Sequence, residues 1–132
     1  MLSIVFTLMI VNSTVTEAQQ VQLVRTIKAV AIVESHGDPN AIGDQGLAVG
    51  ILQIQPVLVA DCNRIVGHSH YTLGDRATVA KSVEMFVVYS LHYAPDGPIS
   101  TWARNWVGGP NGHRKKCTLP YLRRVESVLK RF

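Results

Sequence analysis

Helical repeats broken by glycine and proline constrain this chain more than any other feature. Val21, Val24, Ile27, Val30 and Ala31 recur at steps of three and four residues, and the run from Val21 to Ser35 stops at Gly37 and Pro39, which act as cap and breaker. Gly43, Gly46 and Gly50 make the next segment turn-like, with room for a small hairpin, before Ile51, Leu52 and Ile54 return the chain to the core. Pro56 opens a second helix that ends near Gly67. A longer helix from Thr78 to Tyr93 carries Val79, Val83, Phe86, Val87 and Leu91 on its apolar face, and Pro95, Gly97 and Pro98 end it. A shorter helix carries Trp102 and Trp106. The last begins at Thr118 with Pro120 in its first turn, and sets Tyr121, Leu122, Val125, Val128, Leu129 and Phe132 on one face against Arg123, Arg124, Lys130 and Arg131. The pattern predicts a mainly α fold of about five helices with one glycine-rich loop.

Composition fits one compact domain. The chain has 132 residues, 47% of them apolar and 17% charged, which excludes disorder as its main state. No run approaches the roughly 20 apolar residues that a membrane-spanning helix needs, so stable membrane insertion is not expected. Thirteen Lys and Arg against nine Asp and Glu favour a polyanionic partner, whether nucleic acid, anionic lipid or bacterial cell wall. The apolar run Leu2 to Val11, followed by a polar stretch and by Thr16, Glu17 and Ala18, reads as a secretory signal cut before Gln19, although no basic residue precedes it. That reading divides the chain into a signal at 1–18 and a domain at 19–132. Cys62 and Cys117 are the only cysteines; in an oxidising compartment they could close one long loop, and in a reducing one they serve as small apolar residues.

Glu34 is the candidate catalytic residue. It continues the stripe of Ile27, Val30 and Ala31, so a carboxyl stands where an aliphatic side chain belongs, in the last turn before the glycine-rich loop. Apolar neighbours and the negative end of the helix dipole both disfavour its charged form there, which raises its pKa toward the range of a general acid. An isolated glutamate of this kind more often simply faces solvent.

The residues around it supply context. Glu34-Ser35, then Asp38-Pro39-Asn40-Ala41, Gly43, Gly46, and Gly50-Ile51-Leu52-Gln53-Ile54 ahead of Pro56, resemble the signature of the lysozyme-like lytic transglycosylases. Tyr71-Thr72-Leu73, Trp106 with Gly108-Gly109-Pro110, and Thr118 with Tyr121 look like further stretches of the small secreted and phage-borne members. The resemblance covers most of residues 24 to 132. It implies a lysozyme-like fold with a sugar-binding cleft, an exported or phage-delivered enzyme, and as partner the glycan strands of peptidoglycan, cut between N-acetylmuramic acid and N-acetylglucosamine. It also implies that Glu34 acts first as acid and then as base, and that Gln53 binds substrate in the same cleft. The family needs no cofactor.

Ser35, Asp44, Gly50 and Trp106 join Gln53 as candidate substrate contacts. Ser35 adjoins Glu34, and Gly50 would let the backbone approach a sugar. Asp44 suits a turn, yet it and Asp38 are the nearby acids that could serve as the second carboxylate of a glycosidase. Trp106 could stack on a sugar face or belong to the core. The family commonly places an Asn between that aromatic and its glycine pair; here Val107 stands there, with Asn105 on the other side. His68 and His70 lack a third ligand at zinc spacing, so no metal is expected. The Arg114-Lys115-Lys116 cluster suits an acidic polymer, but no nucleic-acid-binding motif accompanies it. A hydrolytic lysozyme and a non-catalytic peptidoglycan-binding module are the alternatives.

Overall fold

A computed structural model describes residues 15–132, so the apolar run Leu2 to Val11 lies outside the described residues. Among the described residues five α-helices form the body: α1 (Glu17–Ser35), α2 (Pro56–Val66), α3 (Val79–Tyr93), α4 (Ile99–Gly108) and α5 (Leu119–Leu129). Between α1 and α2 lies an antiparallel hairpin, β1 (Ile42–Gly43) and β2 (Ala48–Val49), with Ile42 opposite Val49 and Gly43 opposite Ala48. The five helices and the small hairpin are those the glycine and proline pattern predicts. No described helix is long and apolar enough to cross a membrane.

Helix α3 is the central element. Residues 85–91 are all buried, through a full two turns, so this helix must be covered on every side. Helix α2 packs against it, α4 and α1 contact it from other directions, and α5 joins α1 with α4. Phe86, Trp102, Met85, Leu23 and Leu52 are the large side chains at the centre of this core. Three residues assigned to apolar faces by periodicity fall outside it. Val21, Val79 and Phe132 are all exposed, because each sits within a turn or so of a helix end, where the neighbouring helices no longer reach.

Helix α1 starts earlier than the apolar repeat suggests. Thr16 caps it in a reciprocal box: the Gln19 backbone N–H donates to Thr16 Oγ1 at 3.1 Å, and the Thr16 N–H donates to Gln19 Oε1 at 3.0 Å. Cleavage before Gln19 would therefore remove the cap together with Glu17 and Ala18. At the other end His36, not Gly37, takes the first left-handed conformation, at φ 56°, and the chain turns away directly after Glu34 and Ser35. Both cysteines are free thiols. Cys62 is wholly buried and donates to the Met85 carbonyl, whereas Cys117 is exposed, so the fold separates them and no bridge closes the long loop.

Candidate active site

A cleft of about 790 Å³ opens between the end of α1, the hairpin, one face of α2 and the end of α4. Glu34, Asp44, Gln53 and Trp106 all line it, as do Gln55, Asp61, Arg64 and Val107. Four of the six residues singled out from the sequence thus meet in one cavity, brought there from α1, the hairpin, the turn before α2, and α4.

Glu34 stands at the wall where α1 meets α5. Tyr121, buried in the first turns of α5, donates its hydroxyl to Glu34 Oε2 at 2.8 Å. Burial raises the Glu34 pKa above the ordinary carboxylate value, and the nearby negative charge of Asp44 adds to the rise. The Tyr121 hydrogen bond and the positive charge of Arg124 oppose it, but desolvation is the largest effect. Arg124 also lies over the Tyr121 ring, 5.5 Å from its centroid, so the tyrosine is held from behind while it bonds to the glutamate. One oxygen of Glu34 is fixed by a neutral donor, and its carboxyl faces the cleft. This is an arrangement that can hold a proton and present it to a bound ligand.

The opposite wall is made of strained turns. Asp44 and Gln45 both have positive φ, 48° and 57°, and Gln53 follows at 53°. Non-glycine residues rarely adopt this region, and several of them within ten positions mark a segment whose conformation is imposed by its surroundings. Asp44 is anchored by Gln55, whose side-chain nitrogen donates to Asp44 Oδ2 at 2.8 Å. The Gln53 side-chain nitrogen donates to the carbonyls of Ala41 and Gly50, at 3.1 and 3.0 Å. With both of its N–H groups engaged, Gln53 has its side-chain oxygen left as an acceptor, and that oxygen occupies the space where a Cβ on Gly43 would stand. Gly43 is glycine because the glutamine lies across it.

Two predicted contacts serve the site from behind. Ser35 does not line the cleft; its hydroxyl bonds to the carbonyls of Ile51, at 2.8 Å, and Ala31, at 3.2 Å, and accepts the Asp38 N–H at 3.1 Å. It ties the end of α1 to the strand of chain that carries Gln53. Gly50 is also absent from the lining. It is buried at φ 88°, and a Cβ there would run into the Arg76 carbonyl, so close backbone packing, not a sugar, requires the glycine.

Trp106 is both core and cleft floor. Only 9% of it is exposed, its indole N–H donates to the Leu52 carbonyl at 3.3 Å, and Phe86 and Tyr89 pack on it at centroid distances of 4.7 and 5.8 Å. Asn105 points away into the interior, where its oxygen accepts the His113 backbone N–H at 2.9 Å. Val107, 47% exposed, takes the rim position instead. The bond from Tyr121 to Glu34 leaves no mark in the sequence, because the partners lie 87 positions apart and a buried tyrosine on an apolar helix face looks like core. The group formed by Asp61, Arg64 and Tyr93 on α2 and α3 is equally invisible there. Among the described residues no cluster of His, Cys, Asp and Glu could hold a metal ion.

Comparison with known proteins identifies the family. The profile of the Transglycosylase SLT domain family matches residues 12–89, more than half of the chain, and spans α1, the hairpin, α2 and most of α3. No curated protein and no solved structure matches. A mainly helical domain with a small hairpin is the form expected of that family, and the chain belongs to the SLT transglycosylases, enzymes that act on peptidoglycan.

Proposed function

We propose that the chain cuts peptidoglycan glycan strands between N-acetylmuramic acid and N-acetylglucosamine by intramolecular transglycosylation, with Glu34 as both acid and base. The observation that carries this reading is the partly buried Glu34 carboxyl, raised in pKa, held by Tyr121 and open to the cleft. Protonated Glu34 donates to the glycosidic oxygen as its bond to the muramyl anomeric carbon breaks. The resulting carboxylate then takes the proton from the muramyl 6-hydroxyl as that oxygen bonds to the same carbon. One glycosidic bond is exchanged for an internal one, the proton returns to Glu34, and no water is consumed.

Asp44 supports the charge balance of this sequence. It shares the cleft with Glu34 closely enough to raise the glutamate's pKa, and Gln55 fixes its carboxylate. An anchored negative charge across the cleft stabilises the positive character that develops on the sugar ring, as glycosidases commonly require. Gln53 offers a fixed acceptor to substrate N–H or O–H groups, and Trp106 gives the floor an apolar surface for a sugar face. We place this activity in the cell envelope or outside the cell, reached by export or by phage delivery, because the substrate lies there. The test is release of soluble fragments from purified peptidoglycan by the wild type and by Glu34→Gln. The reading expects release by the first and a loss of about a thousandfold in the second, within the usual range for removing a general acid. Equal release by both would refute it.

A further inference from the structure

The cleft extends well past Glu34. Helix α2 forms one wall, and from Gln55, which anchors Asp44, to Arg64 this wall runs about 13 Å at 1.5 Å per residue. That is longer than one sugar ring. At its far part three side chains interlock. Asp61 and Arg64 lie one turn apart on α2, and Tyr93 is the last residue of α3. The Tyr93 hydroxyl donates to Asp61 Oδ2 at 2.7 Å and accepts from Arg64 Nη2 at 2.7 Å. Arg64 Nε donates to Asp61 Oδ1 at 2.9 Å, and Nη2 also pairs with that oxygen.

Three features set this group apart from an ordinary surface ion pair. Arg64 is held by two different helices although 63% of its side chain is exposed, so a long side chain that would usually sample many rotamers is fixed in one. The carboxylate is largely covered, with 20% of the Asp61 side chain exposed, so the cationic member is the one presented to solvent. Nη1 of Arg64 makes no hydrogen bond among the described residues, which leaves donors of a planar guanidinium free at the cleft wall.

The geometry points to a second function for this end of the cleft, resting on the reading of the chain as a peptidoglycan enzyme: Arg64, oriented by Asp61 and Tyr93, binds a carboxylate carried on the lactyl arm of a muramyl residue. The sugar rings and their acetamido groups are neutral, and the lactyl arm is where a strand carries negative charge. Two sources supply that carboxylate. Strands with stem peptides carry it on the peptide, and strands stripped of peptides carry it on the lactyl group itself. Arg64 makes the enzyme read what is attached to the glycan as well as the glycan.

Binding tests this without depending on turnover. Glu34→Gln would be titrated with three soluble strand preparations: strands bearing stem peptides, strands freed of them by an amidase, and the freed strands with their carboxyls converted to neutral methyl amides. At least one charged preparation should bind about ten times more tightly than the neutral one, as a charge-assisted hydrogen bond from the free Nη1 would give. Which of the two does so identifies the source. Adding Arg64→Gln should erase the preference, so that charged and neutral strands bind alike, and Tyr93→Phe should weaken it partway. Thermal melting confirms that each variant is folded. Equal affinity for charged and neutral strands, a preference that survives Arg64→Gln, or no binding to any strand would overturn the proposal. Fragment release by the wild type is measured separately, so an active enzyme without the preference refutes the role of Arg64 alone.

Discussion

At the scale of single residues, the account turns on one carboxyl and one phenol. Tyr121 donates to Glu34 and lowers a pKa that burial has raised. Tyr121→Phe removes the lowering contribution, so the Glu34 pKa should climb further and the alkaline limb of the pH–rate profile, where the acid loses its proton, should move to higher pH. A limb that stays in place or moves down would remove the tyrosine from the mechanism. The same raised pKa has a stability consequence of defined sign. The folded state binds the Glu34 proton more tightly than the unfolded chain does, so the stabilisation is complete below the unfolded pKa and is lost as pH rises through the folded one. Glu34→Gln should therefore gain in melting temperature relative to the wild type on going from pH 4 to pH 8. A constant difference across that range would contradict a Glu34 pKa raised by burial. The helical stripe places Glu34 at the end of α1, and only the resemblance of the residues around it implies a role for its carboxyl. The tyrosine's bond was not, since periodicity records which face a residue takes and not what its hydroxyl meets.

At the scale of elements, turns with positive φ shape the wall that carries Asp44 and Gln53. Gly50 needs both its positive φ and the absence of a Cβ against the Arg76 carbonyl. Gly50→Ala should cost about 3 kcal/mol or more by urea unfolding, at the upper end of single substitutions. A cost below 1 kcal/mol would mean the backbone can relax there. Ser35→Ala should cost about 1 kcal/mol through its lost bonds, and should lower activity only by loosening the link between α1 and the Gln53 turn. The start of α1 makes a parallel case. A chain beginning at Gln19 lacks the Thr16 cap and should lose about 1 kcal/mol relative to one beginning at Val15. Glycine spacing in the sequence foretold a turn and a hairpin here, and the structure bears that out. Glycine alone could not say whether a given position approaches a ligand or another part of the backbone. Gly43 accommodates Gln53 and Gly50 accommodates Arg76, and both partners arrive through tertiary packing.

At the scale of the whole molecule, the five helices were readable because each begins or ends at proline, glycine or a capping side chain, and the core faces keep helical spacing. The exposed Val21, Val79 and Phe132 show the limit of that spacing: it continues past the point where neighbouring helices stop covering it. The basic surface is partly structural as well. Lys115 donates to the Gly108 carbonyl at 2.7 Å at the end of α4, and Arg104 bonds to Thr118 and to the Lys115 carbonyl, so these cations close the turn that holds the cleft rim. The free thiols make a further whole-molecule expectation: reducing agent should leave the melting temperature unchanged, and a fall of several degrees would reveal a covalent link.

The central claim is that the cleft closes a muramyl ring on itself instead of admitting water. Mass spectrometry of fragments released from purified peptidoglycan in heavy-oxygen water, with Glu34→Gln as control, tests it most directly. The account expects anhydromuramyl ends without solvent oxygen, absent from the Glu34→Gln digest. Reducing muramyl ends that carry the heavy oxygen would contradict it and make the protein a hydrolytic lysozyme.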